Sequence, residues 1–137
     1  YYSLMNWIPL DFVYYHAGIV NLEAKNPLDF EDIYKLLSKI SFTENIELTD
    51  VLDIYFANNL KKTNIVIFTS NINYSLYNQL YKINSSGYKI SIIYVSPESL
   101  TGGKNEEADN VLSFLPEIGV HTYKVNVNDN IKLVLER

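Results

Sequence analysis

Asn64-Ile65-Val66-Ile67-Phe68-Thr69-Ser70 and, after a helix-length interval, Tyr88-Lys89-Ile90-Ser91-Ile92-Ile93-Tyr94-Val95-Ser96 decide the fold of this chain. Each is a nearly unbroken apolar run that closes on small hydroxyl residues. Continuous apolar runs suit strands covered on both faces, as in a parallel sheet. The interval between them has the length of a crossover helix, so the unit reads as βαβ. Open α/β sheets bind ligands beyond the carboxyl ends of their strands. The residues at those ends, Thr69, Ser70 and Asn71 after the first run and Ser96 and Glu98 after the second, are therefore the candidate binding edge.

The flanking sequence extends the same pattern. Asn73 or Ser75 can cap the crossover helix, which carries Leu76, Tyr77, Leu80, Tyr81 and Ile83 and stops at Ser85-Ser86-Gly87. Pro97 to Asn105 reads as a polar loop containing Gly102-Gly103. A short helix follows over about Glu106 to Leu115, then a strand over Val120 to Val127 and a helical turn or two over Ile131 to Leu135. Upstream, Asp11 to His16 and Ile19 to Ala24 form two short strands around the turn signal Ala17-Gly18. Asn26-Pro27 opens a helix whose first turn carries Asp29, Glu31 and Asp32, where the helix dipole favours negative charge. Phe30, Ile33, Tyr34, Leu36, Leu37 and Ile40 then recur at helical spacing. A second helix spans about Leu48 to Leu60, with Leu48, Val51, Leu52, Tyr55 and Phe56 inward. Tyr1 to Trp7 is ambiguous, and Pro9 ends any helix there.

The order is a hairpin, two helices, then β-α-β-α-β-α. It predicts an α/β fold in three layers: a mostly parallel sheet with helices on both faces. The 137 residues fit one domain, 1–137. Tyr1 stands where an initiator Met would, in apolar sequence, which points to a piece of a longer protein.

Composition narrows the function classes. The formal net charge is −5, with 16 acidic and 11 basic residues. That balance argues against nucleic acid as partner, because nucleic-acid binding needs a basic surface to replace counterions. It is equally unsuited to anionic lipid. The absence of cysteine excludes disulfides, thiolate catalysis and cysteine-held zinc. No apolar run approaches the ~18 residues that span a bilayer, so this segment is expected in the cytoplasm without direct membrane insertion.

Specific chemistry is sparse. No glycine-rich loop follows the strand that ends at Ser70, so no phosphate cradle forms there. There is no Gly-x-Ser-x-Gly elbow. Ser70 and Ser96 stand at strand ends, with His16 and His121 as the histidines that could serve as base; a packed or solvated histidine is the simpler reading of each. Glu47, Asp50 and Asp53 are explained by a solvated helix face, and Glu106, Glu107 and Asp109 by an acidic helix start. Tyr74, Tyr77 and Tyr81 make a stripe at helical spacing, for which core and rim packing is the simpler account. Catalytic residues, cofactor and metal ligands are all expected to be lacking.

The hairpin-like Phe12 to Glu23, the segment Phe30-Glu31-Asp32-Ile33-Tyr34-Lys35-Leu36-Leu37, and the runs Ile65 to Ser70 and Gly87 to Val95 carry a resemblance. Over Phe12 to Val127 the chain resembles the C-terminal part of a von Willebrand factor A-like domain. More closely, it is similar to the bacterial MoxR-associated proteins with the domain of unknown function numbered fifty-eight. The resemblance implies a sheet incomplete at its N-terminal side, with Asn64 to Ser70 as its fourth strand.

Domains of that kind often hold a divalent cation through Asp-x-Ser-x-Ser, a loop Thr and a later Asp, an oxygen set suited to Mg²⁺. Here Asp-x-Ser-x-Ser is absent, and Thr69-Ser70-Asn71 replaces the usual Thr-Asp-Gly. The loop Thr corresponds to Thr43 or Thr49. The resemblance thus implies a degenerate metal site in a non-enzymatic protein-interaction domain. It also implies a MoxR-type AAA+ ATPase as partner and membrane anchoring through segments outside this one. The alternatives are a small α/β hydrolase using a strand-end serine, and a structural module that forms homo-oligomers through an exposed edge strand.

Overall fold

The computed structural model describes residues 2–41, 45–59 and 61–136. The chain forms two compact units, Tyr1–Asn59 and Leu60–Arg137. Each has its own sheet.

The first unit opens with a helical turn, α1 (Tyr2–Met5), followed by the strands β1 (Leu10–Tyr15) and β2 (Ile19–Ala24). These pair antiparallel, from Leu10 opposite Ala24 to Tyr15 opposite Ile19. The turn between them holds Ala17 at φ 51° and Gly18 at φ 150°. Glycine meets that demand without strain, whereas alanine pays a steric cost there.

Asn26 then starts a 3₁₀ turn over Pro27–Asp29 with a reciprocal cap. Its side chain accepts from Leu28 N, and the Asp29 carboxylate accepts from Asn26 N. The two backbone N–H groups of Lys25 and Asn26 hold the Asp29 carboxyl below the usual range. The helices α2 (Phe30–Leu37) and α3 (Leu48–Asn58) complete the unit.

Leu4, Ala24 and Ile33 form the buried centre of this unit, with Leu10, Phe12 and Phe30 packed around it. Two residues of the predicted inner stripe of α2, Tyr34 and Leu37, are instead exposed. Leu52 is the buried anchor of α3. The predicted end of that helix at Leu60, and Thr43, lie outside the described residues.

The second unit is β3 (Asn64–Thr69), α4 (Tyr74–Ser85), β4 (Lys89–Val95), α5 (Glu98–Thr101), α6 (Glu106–Phe114), a 3₁₀ segment Leu115–Ile118, β5 (His121–Val125) and α7 (Ile131–Leu135). Its sheet has the order β3-β4-β5, all parallel. The α/β class and the helix-flanked parallel sheet are therefore as the sequence predicts.

Register sorts the side chains onto two faces, because laterally paired residues of a parallel sheet point the same way. Ile65, Ile67 and Thr69 share a face with Ile90, Ile92 and Tyr94, and with Thr122 and Lys124. Helices α4 and α6, which touch each other, lie over this face. Ile67, Ile90, Ile92 and Tyr94 are buried beneath them, against Leu76, Leu80, Ala108 and Val111.

The opposite face carries Val66, Phe68, Ile93, Val95, Tyr123 and Val125. Ile93 and Val125 are buried there, yet Val66, Phe68 and Val95 are exposed, Phe68 by 69 %. The reading of both apolar runs as strands covered on each face thus holds for the middle of central β4, Ile90 to Tyr94, but not for Val95 at its end, and fails for β3. β3 is also an edge strand: among the described residues no strand pairs with its outer side.

Two further points of local structure follow from chain chemistry. Asn73, rather than Ser75, caps α4, accepting from Leu76 N at 2.9 Å. The predicted loop Pro97 to Asn105 contains the helical turn α5. Pro97 lacks the N–H that a helix start leaves unbonded anyway. Gly102 at φ 72° closes the turn in the left-handed conformation.

Candidate functional site at the carboxyl edge of the parallel sheet

The strands of the second unit all run toward one edge, and the five predicted edge residues lie along it. Thr69 ends β3. Its hydroxyl donates to Asn71 O at 2.9 Å and accepts from Asn71 N at 3.1 Å. This pins a tight turn and leaves Ser70 and Asn71 exposed. At the next strand end, Ser96 is almost fully buried. Its N–H donates to Val125 O at 2.8 Å, extending the β4–β5 pairing by one residue. Its hydroxyl accepts from Glu98 N. Ser96 is thus a structural plug, while Ser70 and Asn71 are accessible.

Glu98 is not a free carboxylate. Lys124, on β5, donates to Glu98 Oε1 at 3.2 Å and to Asp109 Oδ1 at 2.8 Å. One ammonium thereby ties β5 to α5 and α6. It also lies 6.0 Å from the Tyr94 ring centre, within cation–π range. The hydrogen bond that Lys124 donates to Asp109 raises the Lys124 pKa above its ordinary value; burial opposes this and the Glu98 contact adds to it.

The Tyr94 hydroxyl is buried and finds no hydrogen-bond partner among the described residues. Burial pushes its pKa up, with the Lys124 charge opposing. The Ser96 hydroxyl also opposes the shift, although the two side chains do not meet in hydrogen-bond geometry.

This Lys124–Glu98–Asp109–Tyr94 cluster was not legible in the sequence. Asp109 reads there as dipole-favoured charge at a helix start, and Lys124 as one polar residue in a short strand. A signal did exist: Lys124 occupies the inward parity of its strand, where a charge requires partners. Glu107 also has a use beyond the helix dipole, since it accepts from Tyr74 N at the start of α4. The tyrosine stripe is mainly rim, with Tyr74 and Tyr81 exposed and Leu76, Leu80 and Ile83 forming the core.

Ser70 offers a neutral hydroxyl at this edge, and Glu98 is already engaged by Lys124. Among the described residues, no three acidic or histidine side chains converge to hold a metal. Thr49 sits in the first turn of α3, in the other unit.

The serine–histidine alternative meets a geometric obstacle. His121 begins β5 opposite Ser91. Ser96 lies five residues further along β4, roughly 16 Å away at the rise of a strand. His121 is therefore at the amino edge, opposite the edge that carries Ser70 and Ser96. His16 belongs to the first unit, just after β1. No described helix is long and apolar enough to cross a membrane.

Comparison with protein-family models, with curated proteins and with solved structures gives no match to this chain.

Proposed function

We propose that this chain is a non-enzymatic protein-interaction domain of von Willebrand A type with a degenerate metal site. In this reading it belongs to a bacterial protein that works beside a MoxR-type AAA+ ATPase. The observation that carries the proposal is the apolar surface left open on the parallel sheet. Val66, Phe68 and Val95 lie on one face, exposed by 55, 69 and 42 %. They run into the pinned turn of Thr69, Ser70 and Asn71. Neighbouring exposed apolar side chains on a regular element mark recognition surfaces more often than catalytic ones. An aromatic anchor such as Phe68 is the residue type that dominates such contacts. The opposite side of the same strands is packed under α4 and α6.

Val95→Arg tests this reading. Val95 is on β4, so the change leaves the β3 edge intact and places a charge at the carboxyl end of the open face, level with Ser70. Affinity for a MoxR-type ATPase, measured by biolayer interferometry, is expected to fall by about tenfold or more, the loss of one contact worth at least ~1.4 kcal/mol. Unchanged affinity in a folded variant would overturn this choice of surface.

A further inference from the structure

The charges of the second unit are sorted to opposite ends of its sheet. Glu98, Glu106, Glu107, Asp109 and Asp129 gather at the carboxyl edge, with Lys104 and Lys124 among them. The amino edge is basic. Lys61 and Lys62 precede β3, Lys89 opens β4 and His121 opens β5, and all four are exposed. Lys62 lies against Gly87, where a β-carbon would sit 3.0 Å from its ammonium, which places it beside the start of β4. Among the described residues Lys61, Lys62 and Lys89 form no ion pair, whereas Lys124 and Lys132 do. Of the acids, Glu117 stands in the 3₁₀ segment before β5, and Glu136 is paired with Lys132.

Register carries these charges onto the open face. Asn64 pairs with Lys89, and Ser91 with His121. Alternate residues of a strand share a face. Lys89 and His121 therefore share the face of Val66, Phe68 and Val95, and no strand residue on that face is acidic. It is an apolar strip that ends in cations.

We infer that the partner segment seated on this face is an acidic amphipathic helix. Its apolar stripe lies on Val66, Phe68 and Val95, and its carboxylates reach Lys89, Lys61 and Lys62. The inference rests on reading the open face as the protein-recognition surface, and it names the chemistry of the partner.

Shape and charge select that occupant. The faces of α/β sheets are covered by helices. From Lys89 to Val95 the strand rises about 20 Å, the length of a helix of about 13 residues. A neutral helix of that length would cover Lys89 without giving its ammonium a partner, which costs free energy. A carboxylate at the same end removes the cost, and a basic helix is repelled. Nucleic acid fits less well, because its phosphates bring no apolar stripe to Val66 and Phe68 and the carboxyl edge of the same unit is acidic.

Display selection of random peptides of about 14 residues, long enough for such a helix, on the immobilised full chain tests the inference. Enriched peptides are expected to carry Asp or Glu at one end and apolar residues at helical spacing. A synthetic enriched peptide, titrated by fluorescence anisotropy, is expected to bind Lys89→Glu and Val95→Arg about tenfold more weakly than the wild type. Added salt is expected to narrow the gap between the wild type and Lys89→Glu. Lys61→Glu, outside the strands, is a second charge variant that leaves the sheet untouched, and circular dichroism checks that each variant is folded.

No enrichment over a control protein overturns the inference, as do enriched peptides without acidic bias or wild-type affinity in both charge variants. So does tighter binding of a single-stranded oligonucleotide than of the peptide at the same salt, which would make nucleic acid the occupant. A dimer of the chain that Lys89→Glu dissociates would make a second copy the occupant and overturn it too. Neutral peptides that bind the wild type and are lost on Val95→Arg remove the acidic partner and leave the open-face reading standing. Acidic peptides lost on Lys89→Glu but indifferent to Val95→Arg remove the open-face reading and confine the acidic partner to the amino edge.

Discussion

Ile92→Ala lowers the unfolding free energy of the second unit by about 2–5 kcal/mol, the range for truncating a fully buried aliphatic side chain. Ile92 sits in the middle of the central strand, with no exposed surface. It faces α4 and α6, with Ile67 and Thr122 beside it in register. Removing its outer carbons leaves a cavity that packed neighbours on two strands and two helices cannot fill. Val66→Ala is the matched control. Val66 is one residue from Ile67 in sequence but on the other face and exposed, so the same kind of truncation costs less than about 1 kcal/mol. Chemical denaturation of both variants reads the difference. Equal losses would mean that the two faces are assigned wrongly.

The second large effect is expected at Lys124. Lys124→Met keeps the length of the stem and removes the ammonium that Glu98 and Asp109 share. The two carboxylates then face each other beside the buried Tyr94. The side chains of Lys124, Glu98 and Asp109 are 33, 25 and 44 % exposed, so solvent screens part of the effect. A loss of about 1–2 kcal/mol is expected, between the values for surface and buried pairs.

Two signatures separate this electrostatic loss from one of packing. Salt screens the remaining repulsion, so added salt restores part of the stability of the variant. The alkaline limb of the stability curve also changes. In the wild type the folded pKa of Lys124 is raised. Its contribution is therefore fully present below the unfolded lysine value of about 10.4 and is lost as pH rises through the folded value. Tyr94 is raised too, by burial, and its contribution fades in the same direction above its unfolded value of about 10. Thermal melts from pH 7 to 11 should show this decline in the wild type and a shallower one in Lys124→Met, where the Tyr94 part remains. Identical slopes would mean that Lys124 gains nothing from its two partners in the folded state.

The parts of the fold legible in the sequence are those set by local pattern. The hairpin follows from alternation around Ala17-Gly18, and the crossover helix from the Leu76–Leu80–Ile83 spacing between two apolar runs. What the pattern does not encode is lateral position. Nothing in Asn64-Ile65-Val66-Ile67-Phe68-Thr69 distinguishes an edge strand from a central one by periodicity, since both of its faces are apolar. Only the folded structure shows that Val66 and Phe68 stay uncovered.

The site was legible in the same limited way. The rule that ligand-facing groups collect at strand ends pointed to Thr69 through Asn71, where the structure has a pinned turn with Ser70 and Asn71 exposed. It could not tell that Ser96 is buried, or that Glu98 is engaged by a lysine distant in sequence. Those facts depend on β5 aligning Lys124 with Tyr94, a non-local pairing of which the inward parity of Lys124 is the one local trace and which does not name its partners.

The central claim is that the open sheet face of the second unit recognises a protein. Nuclear magnetic resonance of the methyl-labelled chain during titration with a MoxR-type ATPase tests it most directly. The account predicts that the Val66 and Val95 methyl signals and the Phe68 to Asn71 amide signals shift or broaden, while Leu80 of α4 and Val111 of α6, buried on the helix-covered side, hold their positions. Binding that leaves Val66, Phe68 and Val95 unmoved would contradict it, as would no binding at all.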